Sequence, residues 1–200
     1  MLVEHLGHSP RIHPDAVVAP GAVVSGDVTI GADCQVLHGA VISAEGGPIV
    51  LGEHVIVMEN AVLRASASDP LRIGDHCLVG PLASTSGARL GDEVFIATGA
   101  RIFNGAVIGD RSEVRINAVV HLRTELPPES VVPIGWVAVG TPAEMFPPDR
   151  HDDIWARQSQ LDFPGYVFGL DRSTPDLMVQ LTERYARHLS RHADDRRVSE

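Results

Sequence analysis

Aromatic side chains make up only 4% of this 200-residue chain. A broad globular core normally draws on them, so their scarcity points to a thin core of aliphatic residues. Cysteine is nearly absent too, with Cys34 and Cys77 alone. Both fall on small-residue positions of the repeat described below, which predicts buried packing rather than a disulfide or a nucleophile. Basic residues are outnumbered by acidic ones, 16 to 26, for a formal charge of −10. That balance argues against nucleic acid and anionic membranes as partners. No apolar run is long enough to cross a bilayer as a helix. The opening MLVEHLGHSPRIHP lacks the cationic and apolar regions of a signal peptide. A cytoplasmic protein is expected.

What the chain does have is a period of six. Aliphatic residues recur at Ile12, Val18, Val24, Ile30, Val36 and Ile42, then at Leu51, Val57 and Leu63, then at Ile73 and Val79. The series resumes at Leu90, Ile96, Ile102, Ile108, Val114 and Val120. A small residue follows most of them by four places, as at Ala22, Ala40, Ala61, Ala83, Ala100 and Ala118. A short fixed period of this kind marks stacked coils, each a set of short strands and turns. Inward aliphatics of successive coils then bury one continuous core. Glycines beside the aliphatics, as at Gly31, Gly52, Gly74, Gly91 and Gly109, suit tight bends or positive φ.

The pattern divides the chain into a lead-in at 1–10, a coil domain at 11–145 and a helical extension at 146–200. Two stretches exceed the hexad, 43–50 (SAEGGPIV) and 64–72 (RASASDPLR), and are expected to protrude as loops. Beyond them, 152–160 predicts a short helix with Ile154 and Trp155 on one face. A second helix is expected after Ser173 or Thr174 as its cap, with Pro175 and Asp176 in its first turn. Leu177, Leu181, Tyr185 and Leu189 form its apolar stripe. The segment 192–200 is polar and is expected to fray.

Residues 73–109 (IGDHCLVGPLASTSGARLGDEVFIATGARIFNGAVIG), with Val139-Gly140-Thr141-Pro142-Ala143, resemble the gamma-class carbonic anhydrases of the hexapeptide-repeat superfamily. The resemblance covers about residues 10–145. It implies an all-β solenoid, a left-handed parallel β-helix with one or two helices at its C-terminal end, assembled as a homotrimer. It also implies a zinc held by three histidines at a subunit boundary, with water in the fourth position.

At the three ligand positions this chain has Arg64, Pro81 and Ser86. Proline offers no side-chain donor and arginine stays charged. Met58 stands where the family has Gln, Ser43 replaces an Arg, and Glu45 keeps that turn's acid. Glu59 and Asn104 also match polar positions of the family. The resemblance therefore implies a lost metal site, no metal, and no carbonic anhydrase activity by the family mechanism. Among the remaining histidines, His54 and His76 read as solvated turn residues. His5, His8 and His13 crowd a terminus expected to be mobile.

Arg64 suits bidentate binding of a carboxylate or phosphate. It marks either a small-anion pocket between subunits, lined by Thr85, Ser86 and Asn104, or an internal ion pair with Glu45, Glu59 or Asp69. Three functions stay open on the sequence. The first is a zinc-free trimer binding a small acidic or acylated molecule, with no cofactor. The second is an acyltransferase using acetyl-CoA or another acyl-CoA, with His38 or His121 as general base. The third is a non-catalytic structural trimer.

Overall fold

The computed structural model describes residues 1–198. Three sheets form the faces of a prism, and each coil visits them in turn. Two sheets have seven strands, all parallel. The third has ten, of which all but Glu144–Phe146 and Arg196–Arg197 run parallel. This is the β-solenoid that the period predicts, and it matches the left-handed coil of the resemblance. The expected aliphatics from Val24 to Val120 point inward and are buried. Small residues such as Ala22, Cys34, Ala61 and Cys77 fill the corners between them, also buried.

On the ten-stranded face, strand register stacks Val24, Ile42, Leu63, Thr85, Ile102 and Val120 into one inward ladder. Thr85 is thus the polar member of an aliphatic column. Its Oγ1 is buried with no hydrogen-bond partner among the described residues. A residue expected to line a polar pocket instead faces the core, because its hexad position points inward.

The glycines at 31, 52, 74, 91 and 109 serve a different purpose from the one expected. None has positive φ. A Cβ on Gly74 would lie 2.3 Å from Asp92 Oδ1 and 2.6 Å from the Gly91 carbonyl oxygen. They are glycine because adjacent coils approach closely there. The left-handed positions of that corner belong to Asp33, His54, His76, Glu93, Arg111 and Glu129. Asp75, Asp92 and Asp110 brace the corner by accepting backbone N–H groups of Glu53, Asp75 and Asp92 at 2.8, 2.9 and 3.0 Å.

The long stretches do not hang free as loops. They lengthen strands, giving Val41–Glu45 and Val62–Ser66, five residues each. These two pair along their whole length, Val41 to Val62 and on to Glu45 with Ser66. Only the short turns beyond them project.

Among the described residues three α-helices follow the solenoid, where the resemblance implies one or two: α1 (His151–Gln158), α2 (Phe163–Phe168) and α3 (Leu177–Leu189). The expected stripe Leu177, Leu181, Tyr185 and Leu189 is the half-buried face of α3. Its start comes later than expected. Asp171 accepts the Ser173 N–H at 2.7 Å, which commits Ser173 to the preceding turn and leaves Asp176 as the N-cap. Helix α2 escapes the periodicity because it is too short to show one. Its local signal is Asp162, whose side chain accepts the Gly165 N–H, with Pro in the first turn.

Both chain ends are tied down, contrary to expectation. Leu2–Glu4 pairs in parallel with Val23–Ser25 and antiparallel with Arg196–Arg197. His5 is buried, and His192 and Asp195 pack against it. The sequence suggests fraying because this polar segment has no apolar period; its order comes from strand pairing and side-chain hydrogen bonds. Residues 199–200 of that segment lie outside the described residues.

Candidate functional site

Between the outer face of the Val62–Ser66 and Ser84–Ser86 strands and helices α2 and α3 lies a cavity of about 540 Å³. Strand register builds its floor. Arg64 and Ser86 stand side by side on adjacent strands, both outward because they alternate with core residues, with Ser43 next to Arg64 just outside the lining. Glu45, Ser66, Ser68, Asp69 and Asn104 add to the polar part, so two carboxylates face the cavity, and Arg184 and His188 reach in from α3. The opposite wall is apolar, formed by Phe163, Phe168 and Leu181, while Phe103 follows Ile102 on the next strand and stands beside Ser86 in the floor. Phe163 sits edge-on to both Phe103 and Phe168, at 6.1 and 6.0 Å.

Arg64 is 40% exposed and its guanidinium lies 3.5 Å from Glu45 Oε1. The ion pair anticipated with Glu45 is present but loose, while Ser43 Oγ donates to the same oxygen at 2.6 Å. Burial would raise the Glu45 carboxyl, yet the Ser43 hydrogen bond and the charges of Arg64 and His192 hold it below the ordinary range. Arg64 therefore keeps donors free toward the cavity. His188 is pushed down by desolvation and by the Arg191 charge, which favours a neutral ring. The fixed cations of the cavity are Arg64 and Arg184.

Other residues singled out in the sequence lie elsewhere. Met58, Glu59 and Pro81 sit in corner turns after Ile56–Val57 and Leu78–Val79, on a different edge of the prism. His38 occupies the same edge and is exposed. His121 is buried and stacked on Phe103, with centroids 5.4 Å apart. Desolvation lowers its pKa. Its Nδ1 accepts the Leu122 N–H at 2.8 Å, which leaves the proton on Nε2. In that tautomer the free edge of the ring donates rather than accepts, the wrong polarity for a general base.

The donor set at Arg64 and Ser86 does not fit zinc. A guanidinium offers no lone pair, and a neutral hydroxyl is a weak partner for the ion. Pro81 adds no donor from its own edge.

That edge is notable for what it exposes. The outward ladder of its sheet includes Ile56, Leu78 and Phe95, in register. The turns beside it present Leu82, Ile116 and Ile134, which are 56, 45 and 61% exposed.

Comparison with known proteins agrees with this picture. Residues 9–44 match the model of the bacterial transferase hexapeptide family (six repeats). A probable carbonic anhydrase of Methanocaldococcus jannaschii is 37% identical over 115 residues, 58% of this chain and 72% of that protein. The mitochondrial gamma carbonic anhydrase 1 of Arabidopsis thaliana is 30% identical over 125 residues, 60% of this chain and 46% of that protein. The chain spans about half the length of the plant relatives it matches. A structure from Bacillus cereus, described as a proposed acetyltransferase, superposes with a TM-score of 0.63 at 20% identity, covering 92% of this chain and 96% of that one. At that identity the likeness is one of fold. This chain belongs to the gamma-carbonic-anhydrase-like branch of the hexapeptide-repeat proteins.

Proposed function

We propose that this chain forms a homotrimer without the family's zinc, and that the Arg64 cavity binds a small carboxylate carrying a short apolar tail. The observation that carries the reading is Arg64 itself. Its guanidinium lies in a cavity whose other wall is made of Phe163, Phe168 and Leu181, with Phe103 beside Ser86 in the floor. A cation opposite an apolar wall selects an amphiphilic anion: the carboxylate pairs with Arg64 in fork geometry, and the tail packs on the rings. Arg184 supplies a second positive charge, and Ser86 and Asn104 offer polar partners. The reading carries no carbonic anhydrase activity by the family mechanism, because no zinc-bound water is available where Arg64, Pro81 and Ser86 stand.

The apolar edge with Phe95, Leu82 and Ile116 supports the trimer. Six large apolar residues along one prism edge form a patch of the kind that marks a protein interface. The placement is cytoplasmic, with neither nucleic acid nor membrane as partner.

Isothermal titration with a series of straight-chain carboxylates from acetate to hexanoate tests the reading. Affinity should rise with chain length, because each buried methylene contributes about 0.8 kcal/mol. An acyl-CoA-dependent transferase stands second, and acetyl-CoA in the same titration tests it. Binding of acetyl-CoA without binding of free carboxylates would favour that alternative. Binding of neither would leave the structural trimer.

A further inference from the structure

Beside the cavity, and sharing Glu45 with it, two imidazoles and two carboxylates meet where both chain ends join the solenoid. The rings of His5 and His192 stack with centroids 4.4 Å apart and planes 19° from parallel. Asp195 spans one edge of the stack. Its Oδ1 lies 2.5 Å from His5 Nδ1 and its Oδ2 lies 2.9 Å from His192 Nδ1. Glu45 faces the other edge, its Oε2 at 3.1 Å from His192 Nε2 and 3.8 Å from His5 Nε2. His5 is 2% exposed, and its Nε2 has no hydrogen-bond partner among the described residues. Leaving such a nitrogen buried and unpaired is costly, so a partner of some kind is expected there.

We propose that this cluster is a divalent transition-metal site, zinc by preference, with His5 Nε2, His192 Nε2 and Glu45 Oε2 as ligands. Tetrahedral zinc with bonds of about 2.0–2.1 Å sets its ligand atoms roughly 3.3 Å apart; the 3.1 Å separation between Glu45 Oε2 and His192 Nε2 is near that, and the 3.8 Å separation from His5 Nε2 has to shorten. Asp195 fits the outer shell. A metal-bound histidine commonly gives its other ring N–H to a carboxylate, which fixes the tautomer and turns the free nitrogen toward the ion. Here one carboxylate does this for both rings. With neutral imidazoles the cluster carries two negative charges, which a divalent ion balances. His5, His192 and Asp195 also have ligand atoms within 4.8 Å of one another, so Asp195 is within reach of an ion at the cluster, and the stacked rings must tilt before both Nε2 atoms point at it.

The site joins three distant parts of the chain: the end of the Leu2–Glu4 strand, the end of Val41–Glu45, and the segment after α3. Its metal acts as a clasp holding the C-terminal segment to the coil. It shares Glu45 with the Arg64 cavity, through Oε2 rather than the Oε1 that faces Arg64, and lies apart from the positions at which the resemblance places the family's zinc.

The test is zinc binding by tag-free protein, measured by equilibrium dialysis and elemental analysis. Wild type should bind about one zinc per chain, and zinc should slow proteolysis at the C-terminal segment. His192→Ala should lose the ion; its side chain is 36% exposed, so the variant keeps the core intact. Arg184→Ala should keep the ion, because Arg184 lines the cavity from α3 and hydrogen-bonds to Gly169 rather than to the cluster. The Co²⁺-loaded wild type should show the visible spectrum of a tetrahedral site, absent in His192→Ala. Failure of wild type to bind zinc, or unchanged binding in His192→Ala, would overturn the proposal.

Discussion

The Tyr166 hydroxyl donates to Asp69 Oδ1 at 2.6 Å, linking α2 to the turn beyond the Val62–Ser66 strand across 97 residues of sequence. Asp69 also lines the cavity, so the contact holds α2 over the strand beside it. Burial, then the hydrogen bond and charge of Asp69, push the Tyr166 phenol up to about 12. A raised phenol stabilises the fold fully below its unfolded pKa, about 10. That contribution is lost as pH rises through the folded value. Tyr166→Phe should cost about 1 kcal/mol at neutral pH. The gap between the two proteins in urea unfolding should stay constant to about pH 10 and shrink above it. A gap that does not change with alkaline pH would contradict the assigned bond.

Close stacking of the coils makes Gly74 intolerant of a side chain. Gly74→Ala puts a Cβ 2.6 Å from a backbone oxygen, which side-chain rotation cannot relieve. The expected loss is about 1–3 kcal/mol, read as a drop in the denaturation midpoint. Alanine at Gly7 meets nothing within 4 Å and carries only the strain of a φ of +75°. It should cost less.

Cys34 and Cys77 are both buried. Desolvation raises both thiols, Cys77 to about 11. Little thiolate forms near pH 8, and access is blocked. A thiol reagent should modify neither cysteine in native protein and both after unfolding. Fast labelling of the native state would contradict the buried assignment.

The exposed edge predicts assembly by apolar contact. Phe95→Asp should convert a trimer into monomers in sedimentation analysis, while circular dichroism stays unchanged. Phe95 is 41% exposed in the single chain, so the substitution leaves the solenoid core alone. A monomeric wild type would remove the basis of this prediction.

The solenoid was legible because every coil repeats the same burial geometry; Val24 and Val120 occupy equivalent places 96 residues apart. Arg64 and Ser86 are brought together in the sequence by the resemblance, which sets both at ligand positions; the register of their strands sets them side by side. Thr85 was misread because its neighbour faces outward, and one step along a strand reverses the side. Helix α2 and the aromatic wall of Phe163 and Phe168 were missed, since six residues cannot display a helical stripe. The His5–His192–Asp195 cluster was the hardest to foresee. Its members are 187 residues apart at the nearest long-range step, from 5 to 192, and only the pairing of the two chain ends brings them together.

The most direct measurement is titration of hexanoate into wild type and Arg64→Ala, with the assembly state of each checked. Charged hydrogen bonds contribute about 1.5–3 kcal/mol, so the account predicts binding to wild type and a loss of roughly tenfold to a hundredfold in Arg64→Ala, with assembly intact. Equal affinity in both proteins, or no binding to wild type, would contradict it.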